Sequence, residues 1–166
     1  YEAGQEFSRT AGDDIPAVGR TRVGLHKGEA VGGNFGGEGR IQYTALGDAM
    51  NCAARLESAN KALKTTILVS REAKEETPLD VFRPMGRVVL SGRATPVEVW
   101  EPVPAMDAEL RTRLVALWLR FDAGDPEALV QLQDIAAEHK EDAAMQEFVY
   151  RIREAGPGGH FVLGSK

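Results

Sequence analysis

The chain has 166 residues, 43% hydrophobic and 27% charged, enough to bury one apolar core and carry an appendage. Its formal net charge is -5, with acidic and basic residues interspersed. That balance speaks against a nucleic-acid surface while leaving room for a local phosphate-binding patch. The single cysteine, Cys52, excludes an intrachain disulfide and suits a reducing cytoplasm. No apolar run is long enough to span a membrane, and no signal-peptide pattern is present.

The chain opens on Tyr1, in what reads as the end of a helix, and is expected to be a piece of a longer protein. Residues 1–11 are weakly helical, and "GDDIPAVGR" (12–20) is a loop by its Gly, Asp and Pro content. "TRVGLHKG" alternates apolar and polar positions with period two and predicts a strand. A Gly-rich stretch (28–40) then leads into "IQYTALG" (41–47), which again reads as extended. The expected arrangement is strand, Gly-rich connection, strand. A glycine-permitted hairpin is the better account of the glycines, and a phosphate cradle the weaker. The stretch lacks a Gly-Lys-Ser/Thr ending and runs into a strand rather than a helix.

Asp48 is the expected N-cap of the next helix, on which Ala49, Cys52, Ala53, Leu56, Ala59 and Leu63 form one apolar stripe. "TTILVS" predicts a buried strand and "REAKEET" a charged helical turn or two before Pro78. "DVFRPMGRVVL" and "TPVEVWEPV" predict two strands joined by "SGRA". After Pro104 the pattern turns helical. Leu110, Leu114, Leu117, Trp118 and Phe121 share a face, then Gly124, Asp125 and Pro126 supply a stop, a cap and an N1 proline. Leu129, Leu132, Ile135 and Ala136 mark the next helix, and Met145, Phe148, Val149 and Ile152 a third. Two parts are expected: 1–104, an α/β part, and 105–166, a helical extension.

His26, His139 and His160 are scattered without metal-ligand spacing, and Cys52 falls on the apolar stripe, where a packed thiol is expected. Asn51 and Arg55 are different. Four apart on a helix, they are neighbours, and at roughly 100° per residue both stand about 110° from the stripe's centre. The opposite shoulder carries Glu57, Lys61 and Lys64, a solvated face with an expected i,i+4 ion pair. The Asn51/Arg55 shoulder has no acidic neighbour. An unpaired guanidinium at a core edge suits an anion, bidentate if the anion is a phosphate. Pairing with a carboxylate distant in sequence is the competing account.

The segment "RVGLHKGEAVGGNFGGEGRIQYTALGDAMNCAARLESA" (22–59) closely resembles the second half of the class III adenylate/guanylate cyclase catalytic domain, and "ILVS" and "VVLSGRATPVEVWE" continue the likeness to about residue 103. The helical extension more weakly resembles segments that follow this domain in some bacterial members. The resemblance implies a ferredoxin-like α/β fold, partial in this chain, that works as a head-to-tail homodimer with nucleotide sites at the interface. It further implies cyclisation of ATP to 3',5'-cyclic AMP and pyrophosphate, with two Mg or Mn ions.

Residue by residue, Arg55 matches the arginine that contacts the α-phosphate and Asn51 the asparagine that orients the ribose. Thr44 matches the purine-selecting position, where Thr or Asp is typical of adenylate cyclases and Cys of guanylate cyclases. The metal-binding aspartates and base-selecting lysine belong to the first half of the domain, which this chain lacks, and Asp48 does not take their place. Ser91 stands where several members have a phosphate-contacting lysine, with Arg93 two residues on as a substitute. The expectation is therefore an adenylate cyclase parent, cytoplasmic or the cytoplasmic part of a membrane-anchored protein, with this segment alone inactive. It should touch neither membrane nor nucleic acid. The alternatives are a non-catalytic cyclase-like dimerisation or nucleotide-sensing module, and a guanylate cyclase.

Overall fold

The computed structural model describes residues 21–37 and 40–163; the helical turn and loop expected over 1–20 lie outside them. The architecture is mixed α/β. Its elements are β1 (Val23–Leu25), β2 (Val31–Gly37), β3 (Arg40–Leu46), α1 (Asp48–Leu63), β4 (Ile67–Ser70) and α2 (Arg71–Lys74). There follow β5 (Phe82–Val89), β6 (Val97–Pro102), α3 (Ala108–Asp122), α4 (Pro126–Glu138), α5 (Ala143–Ala155) and β7 (Phe161–Val162).

Five strands form one sheet in the order β1-β4-β6-β5-β7. β1 runs parallel to β4 and β7 parallel to β5, while β6 is antiparallel to both of its neighbours. The parallel β1–β4 pair needs a crossover, and α1 supplies it by packing back on both strands. The approach is very close at Gly24, where an added Cβ would stand 2.1 Å from the Ala53 carbonyl oxygen and 2.4 Å from the Glu57 nitrogen. Only a residue without a side chain fits there.

β2 and β3 form a separate two-stranded antiparallel ribbon, with Gly33 opposite Thr44. The Gly-rich stretch expected as a connection is itself the first strand of this antiparallel pair, as the hairpin reading of its glycines implied. Ladder hydrogen bonds to β3 hold it extended, and Val31, Gly32 and Asn34 are exposed, so glycine forgoes little packing there.

The stripe expected on α1 is the one that packs: Cys52, Leu56, Ala59 and Leu63 are buried. Asn60 is buried too, a position sequence periodicity did not single out. Its amide donates to the Val23 carbonyl at 3.0 Å, and its Oδ1 accepts from the Thr65 hydroxyl at 2.7 Å. One side chain therefore ties β1, α1 and the turn into β4, leaving no polar atom stranded.

The expected boundary near 104 falls in the connection between β6 and α3. One apolar core nevertheless runs from Cys52 to Ile152, with Met85, Val88 and Trp100 of the sheet and Trp118 and Phe148 of the helices among its members. Trp118 and Phe148 meet edge to face at 5.7 Å. The stop signal between α3 and α4 behaves as read: Asp125 accepts from the Glu127 backbone and Pro126 is the first helical residue.

Two arginines of β5 fasten the helices to the sheet. Arg83, 6% exposed in its side chain, pairs with Glu101 of β6 at 2.6 Å and with Asp142, the N-cap of α5. Burial works against charge on Arg83, but the two carboxylates outweigh it and its pKa is raised. Burial pushes the Glu101 carboxyl up despite Arg83. It also opposes ionisation of Asp142, where hydrogen bonds from Arg83 and the α5 backbone win and the pKa is lowered. Arg87 grips Asp122 at the end of α3 with both nitrogens, at 2.5 and 2.6 Å, and holds that carboxyl low. Among the described residues, no helix is long and apolar enough to cross a membrane.

Candidate functional site

α1 presents three of the singled-out positions to one neighbour. Residues 48, 52 and 55 follow i, i+4, i+7 spacing and so lie along one side of the helix. The turn between β5 and β6 lies along that side. Arg93 donates its backbone N–H to the Leu90 carbonyl at 3.0 Å, closing the turn, with Gly92 at φ +71°. A Cβ on Gly92 would stand 3.1 Å from Arg55 Nη2 and 3.5 Å from its Cζ. The Arg55 guanidinium therefore rests against the bare backbone of this turn.

Arg55 is half-buried and has no carboxylate or hydrogen-bonding partner among the described residues. Pairing with a distant carboxylate, the competing account, is not seen among them. Asn51, one turn earlier, is exposed. Thr44 is exposed on the β2–β3 ribbon and hydrogen-bonds to none of these residues among those described. The structure thus brings Arg55 and the 90–93 turn together, with Asn51 beside Arg55 on the helix and Thr44 on a different element.

Asp48 departs from expectation. Gly47 is the N-cap and has no side chain to accept from the first-turn N–H groups; Asp48 is the first helical residue, with its carboxylate 2.9 Å from Arg93 Nη1. A helical backbone at Asp48 turns its side chain away from the free N–H groups of the first turn, and a nearby guanidinium offers the stronger partner. A carboxylate there still complements the helix dipole. The expected Glu57–Lys61 pair is also replaced: among the described residues Glu57 takes a hydrogen bond from Ser58 at 3.3 Å. Cys52 is fully buried, as its place on the stripe foretold; burial raises its pKa, and the neighbouring Arg93 pulls it partly back.

Two of the three histidines have local partners. His26 Nδ1 lies 2.9 Å from the Ser70 hydroxyl and 3.8 Å from Glu72, and His139 Nδ1 lies 2.9 Å from the Ile135 carbonyl oxygen. Among the described residues, no three His, Cys, Asp or Glu side chains gather as a metal site. Asp48 is already held by Arg93. These described residues do not fit the two Mg or Mn ions, whose ligands the resemblance places in the other half of the domain.

Comparison with known proteins gives this geometry a family. Residues 14–100 match the model of the adenylate and guanylate cyclase catalytic domain. The chain is 42% identical over 90 residues to adenylate cyclase 1 of Rhizobium meliloti, covering 54% of this chain and 14% of that protein. It is 34% identical over 102 residues to the terminal-differentiation-specific adenylate cyclase of Dictyostelium discoideum, covering 59% of this chain and 5% of that one. The chain thus spans only a small part of either relative. A crystal structure of an adenylyl cyclase from P. aeruginosa shares 30% identity at a TM-score of 0.44, covering 60% of this chain and 49% of that one. With more than half of its length matched by the family model, the chain belongs to the adenylate and guanylate cyclase catalytic domain family.

Proposed function

We propose that this chain supplies the phosphate- and ribose-contacting half of an adenylate cyclase site, and that its parent protein converts ATP to 3',5'-cyclic AMP and pyrophosphate. The observation that carries this reading is Arg55: a half-buried guanidinium on a family-matching helix, without a protein anion beside it among the described residues. In the reaction the ribose 3'-oxygen attacks the α-phosphorus, its proton leaves, and the bond to the pyrophosphate oxygen breaks. Negative charge concentrates on the non-bridging α-phosphate oxygens as five oxygens crowd the phosphorus. A fixed guanidinium stabilises that state more than the ground state, because it is already oriented when the charge develops.

Asn51, one helical turn before Arg55, orients the ribose in this reading. Thr44 offers a hydroxyl acceptor to the adenine amino group, which favours ATP over GTP. Mg or Mn ions would be held by carboxylates elsewhere in the parent, and a homodimer would complete the site.

In the parent, Arg55→Ala should lower kcat about 10²–10³-fold while KM for ATP moves only a few-fold. Equal losses in both, or none, would refute the catalytic role. One observation favours a non-catalytic, nucleotide-sensing module instead. Ser91 is uncharged and Arg93 is engaged by Asp48, so Arg55 alone faces this turn as an unpaired cation among the described residues. ATP binding without turnover by the wild-type parent would decide for that module.

A further inference from the structure

We infer that the Asp48–Arg93 ion pair staples the 90–93 turn onto the first turn of α1, and that this staple sets where the Arg55 guanidinium stands. Asp48, Gly92 and Arg93 are then positioning residues, and Arg93 is not a substitute phosphate ligand. The inference rests on the proposed role of Arg55.

Two contacts carry it. Arg93 Nη1 lies 2.9 Å from Asp48 Oδ2 at the start of the helix, a charge pairing rather than a hydrogen bond. The Arg93 side chain is 22% exposed, and its charge partly offsets the burial that raises the pKa of the Cys52 thiol, one turn further along. Gly92 then meets the Arg55 guanidinium within 3.1–3.7 Å of where a Cβ would be. The turn is thus pinned at Asp48 and leans on Arg55 two helical turns away. Its one left-handed residue is a glycine, at φ +71°, so the surface offered to the guanidinium is backbone. Turning Arg93 toward a nucleotide phosphate would release Asp48 and loosen the wall against which Arg55 rests. A guanidinium already neutralised by a carboxylate is also a poorer phosphate ligand than an unpaired one.

The test is a double-mutant cycle in the parent protein with Asp48→Asn, Arg93→Gln and the pair combined. Each single variant should lower kcat about three- to tenfold with KM for ATP unchanged, and the double should lose no more than either. The Arg55 Nε–Hε resonance, assigned by its loss in Arg55→Lys, should shift or broaden alike in all three. A raised KM in Arg93→Gln beside a wild-type Asp48→Asn would mean that Arg93 touches the nucleotide, and would overturn the inference. Additive losses, or an unmoved Arg55 signal, would overturn it too. If the wild-type parent makes no cyclic AMP, or Arg55→Ala is fully active, the functional reading fails instead, and the Arg55 resonance still decides whether the staple exists.

Discussion

Replacing Arg83 with Met tests how the helices are held to the sheet. The change keeps much of the side chain's length but leaves two carboxylates facing a site that is largely closed to water. Side-chain exposures are 6% for Arg83, 12% for Glu101 and 24% for Asp142. An exposed pair would be worth about 0.2–1 kcal/mol, whereas breaking a buried one costs about 3–5 kcal/mol. Asp142 is a quarter exposed and can regain some water, which places the expected loss near the lower end, about 3 kcal/mol. For a chain of this size that is a fall in Tm of about 6–12 °C.

Thermal unfolding followed by near-UV circular dichroism gives the loss. Fluorescence in Trp100→Phe and Trp118→Phe backgrounds shows whether sheet and helices part separately. Removing the whole network with Arg83→Met, Glu101→Leu and Asp142→Asn should recover part of the loss, because no charge is then left buried and the α5 cap is kept. A fall below about 1 kcal/mol in Arg83→Met would refute the reasoning, since it would mean that water already reaches the site.

Gly24→Ala should destabilise by more than about 3 kcal/mol or prevent folding, because its Cβ would lie 2.1 Å from a helix carbonyl oxygen; a variant with wild-type Tm would contradict the β1–α1 contact. Asn60→Ala should cost about 1–3 kcal/mol by denaturant titration, since it strands the Val23 carbonyl and the Thr65 hydroxyl. The lowered pKa values of Asp122 and Asp142 mean that the folded state holds fewer protons there than the unfolded state. Their contribution is complete above the ordinary aspartate value and is lost as pH falls below about 4. The raised Glu101 works in the opposite sense, its contribution being lost as pH rises through its folded pKa. Acid titration with Trp118 fluorescence should therefore show weakening of the α3 and α5 attachments below pH 4, reduced in Asp122→Asn.

What could be read from sequence was whatever lay within a turn or two of itself. The α1 stripe, the buried run at 67–70 and the Gly124-Asp125-Pro126 punctuation are local signals, and each became the element it announced. The free shoulder at Arg55 was legible for the same reason, since helix geometry alone sets which side chains adjoin it. Asp48 was misread because its partner lies 45 positions away, on a turn whose location no local pattern encodes. The Arg83 network was invisible for the same cause: Glu101 is 18 residues off and Asp142 59. β7 is two residues long, too short to show a period, and exists because β5 offers it an edge.

That last strand changes what cutting the chain would do. A polypeptide ended after Pro104 would keep β1–β6 with α1 and α2 but lose α3–α5, β7 and their share of the apolar core. β5 would then lose its pairing at Val88 and Val89, Met85 and Val88 would lose the cover of the helices, and Arg83 and Arg87 would keep only Glu101 and Glu98 of their carboxylate partners. An unpaired edge is a template for pairing with other chains. The shortened protein should collect as strand-paired aggregates, whereas one ending beyond Leu163 carries its own cover for Val88 and Val89.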